Sequence, residues 1–120
     1  MTYPIATFLA LLLAAAISSA PANAAPVVVY AAGDIAECLG KPAERSGAAL
    51  TAKLVQPGAT VLIPGDTAYP FATSETLQSC YEPTWGAFRA TTLVVPGNHD
   101  YVDGRSDDFR AYFGDGAAAN

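Results

Sequence analysis

The fold is decided by one short stretch of the chain, TLVVPGNHD at residues 92–100. An uncharged, mostly apolar run leads directly into a glycine and a cluster of polar side chains. The same arrangement occurs twice earlier, in residues 27–34 (VVVYAA, then GD) and in residues 60–66 (TVLI, then PGD). None of the three runs alternates apolar and polar residues, which is typical of strands buried on both faces of a parallel sheet. We therefore predict three parallel strands, each ending in a polar turn.

The segments between and after these strands have helical character. Residues 43–55 place apolar side chains among charged ones and end before a Pro-Gly pair. Residues 73–81 begin with a Thr/Ser cap, and residues 87–90 add a further turn. Residues 106–113 begin with Ser106 as the cap, followed by two aspartates. The order β-α-β-α-β-α predicts an α/β fold with a mostly parallel sheet.

Composition excludes several classes of protein. The net charge is −5, which argues against nucleic-acid binding through a basic surface. An apolar content of 52% argues against a disordered chain. With 120 residues, the chain has room for one domain.

The first 24 residues carry no charged side chain. Residues 5–17 are almost entirely apolar, but this run is too short to span a bilayer as a helix, which takes roughly 20 residues. The sequence Ala22-Asn23-Ala24 fits the cleavage rule of secretory signals. We expect residues 1–24 to be a signal peptide cleaved before Ala25, and residues 25–120 to be a secreted or periplasmic domain without a stable membrane span. A buried N-terminal helix is the alternative.

Export would place the two cysteines, Cys38 and Cys80, in an oxidising compartment. They can form a single disulfide bond, or remain as two half-buried thiols.

The polar turns recur at equal intervals, since Asp34, Asp66 and Asn98 are each 32 residues apart. This interval is the length of one strand-helix unit, and ligands of parallel sheets bind beyond the carboxyl ends of the strands. We expect these side chains to converge on one crevice, with the Tyr69 phenol nearby. Two adjacent carboxylates repel each other unless a cation lies between them. Oxygen donors of this kind suit hard cations such as Mg²⁺, Mn²⁺ or ferric iron.

The three turns together resemble a known family. Residues 33–34 (GD), 65–69 (GDTAY) and 97–100 (GNHD) resemble, in order, spacing and strand context, the first three sequence blocks of the calcineurin-like metallophosphoesterases. Ala36 stands where many members have a histidine, and together with the tyrosine of the second block this is similar to the purple-acid-phosphatase-like branch. The resemblance covers residues 27–114 and implies the N-terminal part of an αββα sandwich.

The resemblance also implies a dinuclear metal site, with Fe³⁺ and a divalent Fe, Zn or Mn ion. Asp66 would bridge the two ions, Asp34 and Tyr69 would bind the first, and Asn98 would bind the second. The substrate would be a phosphate ester, attacked in line by a hydroxide that the two metals activate.

Two further residues receive catalytic roles from the resemblance. His99 would contact the phosphate and protonate the leaving group, and Asp100 would orient His99.

The chain departs from the family in its histidines, because His99 is the single one and later blocks of the family supply more. We expect an N-terminal fragment of a longer phosphoesterase, inactive alone and marginally stable, because three strands leave apolar faces and edges uncovered. The alternative is a non-catalytic, truncated or degenerate module that binds a metal or a partner. A nucleotide-binding or receiver domain is disfavoured because neither GxxxxGK nor GxGxxG occurs. The natural substrate and the oligomeric state stay open.

Overall fold

The computed structural model describes residues 25–114, and these form a mixed α/β arrangement around a three-stranded parallel sheet. The strands follow each other in space in chain order, so each connection is a crossover to the neighbouring strand. The strands are β1 (Val29–Ala31), β2 (Thr60–Ile63) and β3 (Thr92–Val94). The three parallel strands are thus confirmed. The first is shorter than predicted, because Val27 and Val28 lie before β1 and are exposed.

The connections consist of short helical pieces. The α-helices are α1 (Gly47–Ala52), α2 (Ser74–Thr76) and α3 (Asp107–Phe113). A π-helix (Leu77–Tyr81) continues α2, and three 3-10 turns cover Ala43–Arg45, Gly86–Thr91 and Asn98–Asp100.

Capping side chains explain where these helices begin. Thr73 caps α2 as predicted, because its hydroxyl accepts a hydrogen bond from the Thr76 amide at 3.2 Å. The prediction of one helix over residues 43–55 is wrong in its bounds, because a 3-10 turn (Ala43–Arg45) and the shorter α1 occupy this segment. Ser46 is extended and accepts the Ala49 amide at 3.2 Å, so α1 begins only after it. Ser106 precedes α3 but makes no capping bond with its side chain.

The core lies on one face of the sheet. Val61, Ile63 and Val94 point into it, and Leu77 and Phe109 from the helical layer cover them. The alternate strand residues Val29, Leu62 and Leu93 point the other way and remain exposed, as does Val95 directly after β3. Burial of both faces, predicted from the unbroken apolar runs, is therefore wrong for the described residues, whereas the expected uncovered apolar face is present.

A disulfide bond joins Cys38 and Cys80, with the two Cα atoms 5.8 Å apart. It connects the segment after β1 to the π-helix. Trp85 belongs to the same core cluster as Cys80, and its indole N–H donates to the carbonyl of Ala48 at 3.1 Å.

Residues 1–24, expected to be a signal peptide, lie outside the described residues. In the described part of the chain, no helix has the length and apolar character needed to cross a membrane.

Candidate functional site

The three polar turns lie side by side at the carboxyl ends of the strands. We call them, in chain order, the first turn (residues 33–36), the second turn (residues 64–69) and the third turn (residues 96–100). The amides of Ile35 and Ala36 donate to the carbonyls of Asp66 and Thr67, each at 3.1 Å, and so continue the parallel pairing of β1 and β2. The third turn touches the second so closely that a Cβ atom on Gly97 would lie 2.3 Å from the Asp66 carboxylate. The predicted convergence of the turns is present.

Asp34 and Asp66 share an unusual backbone conformation. Their φ angles are +52° and +56°, in the left-handed region that aspartate tolerates better than most residues with a side chain. Among the glycines that lead the three turns, Gly33, Gly65 and Gly97, only Gly65 has a positive φ. Local strain of this kind concentrates at functional sites. Both aspartates at this edge of the sheet have this conformation, and Asp103 in a later turn shares it with a φ of +52°.

The oxygens of Asp34, Asp66 and Tyr69 converge. The Tyr69 hydroxyl donates a short hydrogen bond to Asp34 Oδ1, and it lies 3.3 Å from Asp66 Oδ2. The hydrogen bond to Asp34, followed by loss of hydration and the charge of Asp66, raises the pKa of the Tyr69 hydroxyl above its ordinary value. The phenol proton thus lies between two carboxylates, at a position where positive charge is favoured.

Asn98 begins the 3-10 turn of the third turn and is exposed. Its side chain makes no hydrogen bond to any other residue in the 25–114 range. The preceding residue, Gly97, lies against Asp66, so the backbone of Asn98 is one residue away from the cluster.

His99 is held by residues of the second connection. Its Nδ1 lies 2.7 Å from the carbonyl oxygen of Pro70, and its ring lies 4.4 Å from the Tyr69 ring and 5.7 Å from the Phe71 ring, centroid to centroid. Because a carbonyl oxygen only accepts, Nδ1 carries the proton and Nε2 is free for another partner. Sequence reasoning missed Pro70 and Phe71, because these contacts depend on the path of the backbone and leave no motif.

Asp100 does not take the predicted place beside the His99 ring. Its side chain is 1% exposed, and its carboxylate accepts hydrogen bonds from Asp66, Thr67 and Gly97 instead. The Pro70 carbonyl, and not the Asp100 carboxylate, is the hydrogen-bond partner that orients the His99 ring.

The site offers few side chains that could bind a metal ion. Within residues 25–114, no group of three or more His, Cys, Asp or Glu side chains is arranged to hold a metal ion. The cluster instead combines two carboxylates with a phenol, and all three donors are oxygens. This chemistry fits a hard cation such as Mg²⁺, Mn²⁺ or Fe³⁺.

Comparison with known proteins gave no match to any protein-family model, curated protein or solved structure. The resemblance to calcineurin-like metallophosphoesterases therefore stays a prediction that depends on the motif residues. The structure itself establishes the class, a mixed α/β arrangement with a small parallel sheet and an acidic cluster at its carboxyl edge.

Proposed function

We propose that this chain belongs to an exported, metal-dependent hydrolase of phosphate esters and provides part of its metal site. One observation carries the proposal: carboxylate oxygens of Asp34 and Asp66, from two neighbouring turns, meet at the Tyr69 hydroxyl. The left-handed backbone at both aspartates and the motif resemblance support it further.

The donors fit the group that the resemblance implies. Asp34, Asp66 and Tyr69 would hold a ferric ion, which would replace the phenol proton, and Asp66 with Asn98 would hold a divalent ion. Bound there, the two ions would activate water and stabilise the charge that develops on a phosphoryl group.

The chain's own residues provide the proton transfer. Because Pro70 keeps the proton on Nδ1 of His99, protonation at Nε2 produces an imidazolium whose Nε2–H can pass to a leaving oxygen. Contact with the Tyr69 ring, at an angle of 45° between the two ring planes, places the His99 ring next to the donor cluster. His99 is thus suited to act as a general acid.

Electrostatics make phosphate binding depend on the metal. Asp34 and Asp66 repel a phosphate ester in a chain of net charge −5. Cations at the cluster reverse the sign of the local field, so the metal-free protein is expected to bind phosphate poorly.

The exposed sheet face suggests the remaining architecture. We infer that the three strands form one layer of an αββα sandwich, in which a second sheet would cover Leu62 and Leu93. This inference depends on the same family resemblance.

The test is a titration of the purified full-length chain with Fe³⁺, followed by visible spectroscopy. We expect a tyrosinate–iron charge-transfer band that shifts when inorganic phosphate is added. Tyr69→Phe should abolish the band. Tyr101→Phe is the matched control, because Tyr101 is 41% exposed and its hydroxyl contacts neither aspartate. The proposal fails if the wild-type chain binds no metal, or if the band persists in Tyr69→Phe.

A second candidate is a non-catalytic module that binds a metal or a partner. The single histidine and the small donor set favour it. Metal-dependent phosphate binding, with or without hydrolysis of p-nitrophenyl phosphate, supports an esterase site. Metal binding without phosphate binding supports the module.

A further inference from the structure

Asp100 is a buried carboxylate at the junction of two turns. Its Oδ2 accepts from the amides of Asp66 at 2.7 Å and Gly97 at 2.8 Å. Its Oδ1 accepts from the Thr67 amide at 2.9 Å and from the Thr67 hydroxyl. Four donors and no acceptor surround the group, which suits an ionised carboxylate whose lone pairs are all satisfied.

The contact between the turns is reciprocal. The His99 amide of the third turn donates to Asp66 Oδ1 at 2.8 Å. A backbone amide of the third turn therefore holds the Asp66 side chain. In return, the Asp100 side chain holds the backbone amides of Asp66 and Thr67. Because Oδ1 of Asp66 is occupied by this amide, Oδ2 is the oxygen that faces the Tyr69 hydroxyl.

We infer that Asp100 is a positioning residue that fixes the Asp66 carboxylate in the orientation presenting Oδ2 to a ligand. It acts through the backbone of residues 66–67 and through the conformation of the third turn, and it does not touch the ligand itself. That the ligand is a metal ion rests on the proposed function. Partners that hold a metal-binding carboxylate in place usually change metal affinity by about 10- to 100-fold when removed.

The decisive variant is Asp100→Asn. The new NH₂ group would face at least one backbone N–H donor in either orientation of the amide, so at least one backbone amide loses its acceptor. Asp108→Asn is the matched control, because Asp108 also accepts a backbone amide from a distant residue, Ser74 at 2.9 Å, but lies outside the three turns.

Amide hydrogen exchange of the full-length chain without metal gives the first readout. In Asp100→Asn, we expect the His99 amide to lose protection by about tenfold or more, although this amide is not bonded to Asp100. The amides of Ala32 and Val95, which bond to the β2 carbonyls, should keep their protection. Asp108→Asn should change none of these amides. Unchanged protection of His99 in a folded Asp100→Asn variant overturns the inference.

Calorimetric titration with Mn²⁺ gives the second readout. The affinity should fall about 10- to 100-fold in Asp100→Asn and stay unchanged in Asp108→Asn. An unchanged affinity in a folded Asp100→Asn variant overturns the inference as well. If the wild-type chain binds no Mn²⁺ and no Fe³⁺, the proposed function fails, whereas amide exchange still decides the role of Asp100.

Thr67→Val covers the case in which Asp100→Asn does not fold. This change removes one hydroxyl bond to Asp100 and keeps the shape of the side chain. A smaller loss of His99 protection, of about twofold to threefold, supports the inference. No change in His99 protection overturns it.

Discussion

The Cys38–Cys80 disulfide is expected to supply a large share of the stability of the described domain. The two cysteines are 42 residues apart in sequence, and the chain-entropy model assigns about 4 kcal/mol to a loop of this length at 25 °C. Small domains are stable by only about 5–15 kcal/mol in total. Because one apolar face of this sheet is uncovered, the domain has less buried area to offset the loss of the bond.

The location of the bond gives this estimate a structural basis. Cys80 is 2% exposed in the π-helix, while Cys38 follows the first turn. The bond therefore fixes the first turn relative to the helical layer that covers the core. Reduction should increase the freedom of the unfolded chain and loosen the connection between Asp34 and the rest of the domain.

The assay is urea unfolding of the full-length chain with and without a reductant, followed by the fluorescence of Trp85, which is 3% exposed and the single tryptophan. We expect the midpoint to fall by roughly 2–4 M urea, for a denaturant dependence of about 1–2 kcal/mol per molar. A Cys38→Ala/Cys80→Ala variant should show the low midpoint in both conditions, which separates the bond from other effects of the reductant. A loss of less than about 1 kcal/mol would refute the argument.

Three further predictions concern the cap of α2, the buried Tyr81 and the exposed sheet face. Thr73→Ala should cost about 1 kcal/mol in urea unfolding, whereas Ser106→Ala, which removes no capping bond, should change stability by less than about 0.5 kcal/mol. Burial raises the pKa of Tyr81 above the ordinary value of 10.0, so the Tyr81 hydroxyl ionises at a lower pH in the unfolded chain than in the folded one. The contribution of neutral Tyr81 to the free energy of unfolding should be fully present below pH 10.0 and should decrease at higher pH. Tyr81→Phe should make this decrease shallower in unfolding curves measured from pH 9 to 11. Leu93→Lys should weaken the fluorescence of an apolar dye bound to the sheet face. Leu54→Lys should not, because Leu54 is also well exposed, at 73% against 64% for Leu93, but lies on a different segment.

The strands and their turns could be predicted because their signals are local. An apolar run that ends in a glycine and a polar residue predicts a strand end from a few neighbouring residues, and equal spacing then places Asp34, Asp66 and Asn98 at one edge of the sheet. The break in the helix at Ser46 was missed because serine is compatible with both a helix interior and a cap. The choice depends on a bond to the Ala49 amide that exists only once the chain is folded. The position of the Pro70 carbonyl next to His99 was missed for a similar reason, because it is a backbone contact across 29 residues.

The aspartates show most clearly where sequence reasoning ends. Asp34, Asp66 and Asp100 each occur in a glycine-led turn after an apolar strand, but the sequence does not show how many hydrogen-bond donors surround each carboxylate. In the structure, Asp34 is exposed, Asp66 is half-buried and Asp100 is buried. This difference follows from where the donors point: three backbone amides and the Thr67 hydroxyl surround Asp100, while a single amide reaches Oδ1 of Asp66 and leaves Oδ2 facing the Tyr69 hydroxyl. An aspartate that accepts four hydrogen bonds has no oxygen left for a cation, whereas one that accepts a single amide bond keeps an oxygen for this purpose. The number of backbone donors at each carboxylate therefore separates the candidate metal ligands from the residue that positions them.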